Sequence, residues 1–329
     1  MSNKIKKACL AFALASLVGV SAGVSACGTS KHPNARITIE FKGETYVIDY
    51  ILYRNMYPQT VQHFIELADE GFYDNTLIHD YKSTDWVTGA YSYNGEVETT
   101  DDVGNVSMVA SDYASAYSRG DSGMTQYLEA NSKEKAYYDL VTEGIKNNKF
   151  SASVFTQTNI DKNGNEIVSV DNALPTLIGE FSDNGHRIED DKGLKATYGT
   201  LKMFYYKKEI KHVYVRDSFG VIVPRDYGNN CATSLFSMQV ATGTAYSVDK
   251  YAVFGQFKND KAKEVMDDLK DAISDYTAEL GATSKWSMSV KINVDREDKF
   301  ADDSGRDIDT SFTVTSLPLI IRSIKITKH

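Results

Sequence analysis

Pro58-Gln-Thr-Val-Gln-His-Phe-Ile-Glu-Leu-Ala-Asp-Glu-Gly-Phe-Tyr-Asp-Asn-Thr-Leu-Ile-His79 reads as a helix, a turn and a strand. Val61, Phe64, Ile65 and Ala68 recur at helical spacing and share one face. Pro58 stands at the first turn, where a missing N–H costs nothing, and Gly71 stands just past the end. A short amphipathic helix is therefore predicted. After the turn at Asp74-Asn75, Phe72 to His79 has strand composition.

Outward from this stretch the texture is mostly β. Upstream, Ile37-Thr38-Ile39-Glu40-Phe41 and Tyr46-Val47-Ile48 alternate around Gly43 and predict a hairpin. Downstream, strands are expected at Gly199 to Phe204, Phe219 to Val223, Ser234 to Met238 and Tyr251 to Phe257. A second helix follows, with Ala262, Val265, Met266, Leu269, Ala272, Ile273 and Tyr276 on one face and Gly281 closing it. Met288 to Val294 and Leu317 to Ile326 are two more strands, separated by the acidic stretch Asp295 to Asp309. Many short strands with two or three helices predict a mainly β fold, a barrel or sandwich with helices packed against it.

Between about residues 92 and 173 the composition shifts to Asp, Ser, Asn and Tyr, as in a long insertion. It holds one helical pattern, Ala136, Tyr137, Leu140, Val141 and Ile145. Asn163-Gly164-Asn165 is a hairpin-turn signal whose spacing does not match a calcium loop. The stretch 295–309, with Asp302, Asp303, Asp307 and Asp309, is read as a solvated connection, with calcium left open as an alternative.

Of 329 residues 42% are hydrophobic and 25% charged, which excludes disorder, collagen and coiled coil for most of the chain. The net charge of −9 argues against a nucleic-acid partner. Lys4, Lys6 and Lys7 precede an apolar run from Ala8 to Val24 that exits through Val24-Ser25-Ala26-Cys27, a signal-peptide pattern. Its last four residues resemble the lipobox of bacterial lipoproteins, which implies cleavage after residue 26 and a lipid on Cys27. The expected organisation is a signal peptide at 1–26, a lipidated tether at 27–36 and one domain at 37–329. That places the protein outside the cytoplasm, on the cell membrane of a bacterium. Cleavage removes three Lys and no acid, taking the charge from −9 to −12, so lipid rather than electrostatics would hold the protein to an anionic membrane. Of three cysteines, Cys231 is left as a single thiol, read as buried and inert.

Three segments in order resemble the cyclophilin-type peptidyl-prolyl cis-trans isomerases. The first is Pro58 to His79, similar to the family's first helix, Gly-Phe-Tyr-Asp turn and strand ending in Phe-His-Arg. The second is Ile178-Gly179-Glu180-Phe181-Ser182-Asp183-Asn184-Gly185 with Gly199-Thr-Leu-Lys-Met203, the latter in place of Gly-Val-Ile-Ser-Met. The third is Ser234-Leu-Phe-Ser-Met238 with Lys250-Tyr-Ala-Val-Phe-Gly255, similar to Ser-Gln-Phe-Phe-Ile and His-Val-Val-Phe-Gly. The resemblance implies a closed antiparallel eight-stranded β-barrel capped by two helices, with a large, partly helical insertion at about 92–173.

It also implies a peptide groove, and the residues there depart from the family. The family rotates an X-Pro bond, against a barrier of about 18–20 kcal/mol, by placing an Arg donor near the imide nitrogen. After His79, the Arg position is Asp80, an acceptor of opposite charge. The following Phe and Met become Asp85 and Trp86, and the Gln becomes Thr88. In the later strand Gln becomes Leu235 and the pocket Phe becomes Ser237, while Phe236 and Met238 on the opposite face keep core character. The pocket Trp falls near Tyr246 and the family's His is Tyr251. The groove implied is His79, Asp80, Trp86, Thr88, Leu235, Ser237, Tyr246 and Tyr251, with Asp80, Leu235 and Ser237 degenerate and no catalytic residue assigned. Lys82, two residues beyond Asp80, is a conceivable substitute cation.

Two functions follow. One is a divergent isomerase or folding-assistance lipoprotein acting on proline-containing peptides or exported proteins, with activity very low or absent. The alternative is a non-catalytic peptide- or protein-binding module using the remodelled groove and the tyrosine-rich insertion, including Tyr91, Tyr93, Tyr113, Tyr117, Tyr127, Tyr137 and Tyr138. A hydrolase is disfavoured, since Gly-x-Ser-x-Gly, His-Glu-x-x-His and a phosphate-binding Gly loop are missing. No cofactor or metal is expected.

Overall fold

The computed structural model describes residues 30–93, 96–100, 106–110, 112–147, 149–150, 177–181, 186, 194–203, 211–216, 221–227, 231–242, 251–294 and 308–329. In chain order the elements begin with β1 (Asn34–Phe41), β2 (Glu44–Leu52), α1 (Pro58–Asp69), β3 (Thr76–Tyr81) and β4 (Asp85–Ser92). The insertion holds β5 (Glu96–Thr100), β6 (Val106–Ala110), α2 (Tyr113–Ser118), α3 (Asp121–Ala130) and α4 (Glu134–Lys146). Next come β7 (Leu177–Ile178), β8 (Thr200–Met203), β9 (Lys211–Arg216), β10 (Ile222–Tyr227), β11 (Cys231–Ala232), β12 (Phe236–Gln239) and β13 (Val253–Phe257). The chain ends with α5 (Asp260–Glu279), β14 (Ser287–Val294), β15 (Ile308–Thr315) and β16 (Ile320–Lys328).

Eight strands close an antiparallel barrel in the order β1-β16-β3-β4-β12-β8-β13-β2. Closure leaves no unpaired sheet edge. Ile37, Ile39, Ile48, Leu201, Phe236, Met238 and Phe254 are buried in the main core, together with residues of the two capping helices α1 and α5. Helix α1 starts on Pro58, and its orphan N–H groups find a partner far along the chain. Glu180 accepts from the backbone N–H of Gln59 at 3.1 Å and of Thr60 at 2.7 Å. In α5, the Asn259 side chain accepts from the Ala262 N–H at 3.0 Å.

A second buried cluster lies on the other face of β3 and β4. By strand alternation Ile78 belongs to the main core, whereas Leu77 and Tyr91 join Tyr113, Met124, Tyr127, Leu128, Val290, Phe312 and Val314. This face is covered by the β14–β15 hairpin, paired from Ser287↔Thr315 to Val294↔Ile308, and by α2 and α3. Backbone hydrogen bonds dock the insertion onto β4, with Ser92 N–H donating to Asn131 O and Lys133 N–H to Ala90 O, both at 2.8 Å.

The helices expected at Pro58, at Ala136 and at Ala262 are α1, α4 and α5. Two expectations change. The tether drawn to Arg36 gives way to β1 at Asn34, because Arg36 pairs in β1 and its guanidinium bonds Asp49 at 2.8 Å. The stretch drawn as a connection to Asp309 becomes β15 from Ile308. The turn at Asn163-Gly164-Asn165, the side chain of Cys231 and residues 295–307 lie outside the described residues.

Candidate functional site

Asp80 sits near the end of β3, where register shifts interrupt the pairing with β4 on either side of Ile78. Its side chain is turned into the protein and is 3% exposed. Oδ1 accepts the backbone N–H of Thr313 on β15 at 3.0 Å, and Oδ2 accepts from Lys82 Nζ at 2.5 Å. The Asp80 carboxylate thus serves as a docking acceptor for the β14–β15 hairpin. Lys82 stays half-exposed.

His79 is wedged edge-on between Tyr91 at 4.8 Å and Phe312 at 4.9 Å between ring centroids. Burial pushes its pKa down to about 3, against a backbone hydrogen bond at Leu77, and nearby Lys82 adds to the lowering. The ring is neutral at physiological pH. Thr88 Oγ1 donates to the Leu77 carbonyl at 2.8 Å, so the residue in the Gln position is tied to the neighbouring strand.

Leu235 and Ser237 are 8% and 1% exposed. The segment before β12 lies close against β4. A Cβ on Gly89, whose φ is +100°, would stand 2.4 Å from the Ser234 carbonyl oxygen, and Ser234 Oγ donates to Gly89 O at 2.7 Å. Ser237 pairs with Val87 on one side and Lys202 on the other. Lys202, 4% exposed, holds its ammonium 4.0 Å from Asp85 and 4.5 Å from the Tyr251 ring centroid. Lys202 is missing from the site read off the sequence, because a single Lys in a strand pattern gives no sign that its ammonium is buried beside Asp85.

The implied groove residues therefore do not converge on one open surface. Asp80 and His79 lie under β15, Thr88, Leu235 and Ser237 are buried, and Trp86 joins the main core, stacked on Tyr81 at 5.4 Å. Tyr251 is half-buried beside Lys202. Tyr246 and Cys27 lie outside the described residues, as does the Tyr138 side chain.

The insertion's tyrosines pack more than they present. Tyr91, Tyr113 and Tyr127 are buried in the second cluster, with Tyr93 and Tyr117 half-buried against it. Tyr137 is buried in the main core, its hydroxyl 3.1 Å from His63 Nε2. Among the described residues no three His, Cys, Asp or Glu come together as a metal site, and no helix is long and apolar enough to cross a membrane.

Residues 36–166 match the family model of cyclophilin type peptidyl-prolyl cis-trans isomerase/CLD. That match covers less than half of the chain. Among solved structures, it is similar to a cyclophilin type peptidyl-prolyl cis-trans isomerase of Cryptosporidium parvum, at 13% identity over 91% of this chain and 99% of that one, with a TM-score of 0.36. The Mimivirus cyclophilin shares 12% identity over 73% of this chain and 78% of its own, with a TM-score of 0.30. No curated protein matches the sequence. In this barrel the residue after His79 is the buried acceptor Asp80.

Proposed function

We propose that this protein is a lipid-anchored, extracytoplasmic cyclophilin-type protein that attends exported polypeptides, with isomerase activity very low or absent. The observation that carries this reading is Asp80, buried and bonded to Thr313 and Lys82 beneath β15. Isomerisation needs a donor that favours the twisted imide, and a carboxylate only accepts. Loss of one preorganised donor costs about 10²–10³ in rate. Here the residues in the Gln and Phe positions are also buried as Leu235 and Ser237.

The test is X-Pro exchange in a proline peptide, followed by NMR with catalytic amounts of the full chain. No acceleration is expected from the wild type. Clear acceleration would sink the reading. A second reading has one observation in its favour, the half-exposed Lys82 ammonium on Asp80. It requires acceleration by the wild type that Lys82→Met abolishes.

A further inference from the structure

A cavity of about 740 Å³ opens between the C-terminal half of α5, Gly281, Ala282, Trp286 and Ser287 beyond it, and the turn at 81–86 between β3 and β4. That volume lies within the roughly 300–1,000 Å³ usual for ligand pockets. Its floor is apolar, formed by the buried Trp86, Trp286, Val240 and Ile273. Trp86 Nε1 is buried and has no hydrogen-bond partner among the described residues, an unusual state for an indole N–H.

The charged residues of the described lining are two lysines, each with a carboxylate beside it outside the lining, Asp80 for Lys82 and Asp267 for Lys270. Lys82 and Lys270 line the mouth and, among the described lining residues, no carboxylate does, although the whole chain is at −9. Asp80 holds the Lys82 ammonium by one of its three donors. The Lys270 ammonium stands 4.7 Å from the Tyr198 ring centroid. Ser274, Thr277 and Ser287 add hydroxyls at the rim, suited to the amide groups of a peptide, and the exposed Ser83 and Gly281 leave the cavity open for a chain to pass out.

We propose that this cavity binds the C-terminal end of a peptide whose last residue is apolar. The side chain rests on the Trp86 and Trp286 floor, the terminal carboxylate meets Lys82 and Lys270, and the preceding amides meet the rim hydroxyls. The inference does not depend on isomerase activity, and of the groove residues expected from the sequence it uses Trp86 among the described lining residues.

Both tryptophans of the chain line the cavity, so its indole emission reports on this site alone. The full chain is titrated with acetyl-Ala-Ala-Leu bearing a free carboxylate, with its C-terminal amide, and with 4-methylpentanoate. A saturable emission change is expected with the free acid. The amide should bind about tenfold more weakly or worse, as should Lys270→Met toward the acid, while Lys270→Arg retains binding. No saturable change, equal binding of acid and amide, or an unaffected Lys270→Met would overturn the proposal. Binding of 4-methylpentanoate as tight as the peptide's would overturn the peptide assignment in favour of a small organic acid.

Discussion

Asp80 plays a structural role at the scale of one residue. A donor aimed at a substrate needs open space in front of it, whereas Asp80 fills that space with a backbone N–H from β15. Asp80→Ala leaves the Thr313 N–H without its acceptor and is expected to cost about 1–3 kcal/mol in urea denaturation. Asp80→Asn, which keeps the acceptor oxygen, should recover most of that loss. Histidines make a second residue-scale argument. Burial lowers His63 to about 4 and His79 to about 3, both below the ordinary 6.5. Between about pH 6.5 and those values the unfolded chain takes up protons that the native rings refuse, so stability falls as pH falls through this window. Urea unfolding at pH 5 should therefore lie about 2–4 kcal/mol below its value at pH 7.5. An unchanged midpoint would mean that the two rings are reached by water.

At the scale of elements, the β14–β15 hairpin is the addition that reshapes the barrel's outer face. Beyond its own pairing it is held by hydrogen bonds such as Thr313 N–H to Asp80 and by what it buries, and Phe312 anchors that burial against His79 and Tyr91. Tyr113 fastens the insertion to the same hairpin, donating from its hydroxyl to the Thr315 carbonyl at 2.7 Å. Phe312→Ala should cost about 3–5 kcal/mol by chemical denaturation and speed amide hydrogen exchange in β3. A cost below about 1 kcal/mol, inside the range of ordinary surface substitutions, would show that the hairpin does not pack on β3. The alternation of Ile308, Thr310, Phe312 and Val314 was a readable strand signal, obscured by the acidic residues just before it and by Asp309 within it.

Over the whole molecule, the described residues form a closed barrel with α1 and α5 packed into its core cluster and one outer face overlaid, and the proposed lipid anchor lies outside them. Cys27→Ala is expected to move the protein from the detergent-rich to the aqueous phase on fractionation, since the lipid would be its hold on the membrane. Retention of the variant in the detergent phase would point to an uncleaved apolar segment instead.

By itself the sequence determined the periodic parts. Helical spacing from Val61 to Ala68 and from Ala262 to Tyr276 is a local pattern that a chain with these residues satisfies by burying one face, whereas the alternation of Phe236 and Met238 with Leu235 and Ser237 runs through a segment buried on both. That a carboxylate, Asp80, follows His79 was legible there too. Only the tertiary structure decided what that carboxylate and the apolar faces meet. The partner of Asp80 is 233 residues away on β15, Glu180 caps α1 from 120 residues beyond, and Trp86 and Trp286 come to line one cavity beside α5. Such pairings depend on which faces the closed barrel brings together, and no periodicity along the chain encodes that.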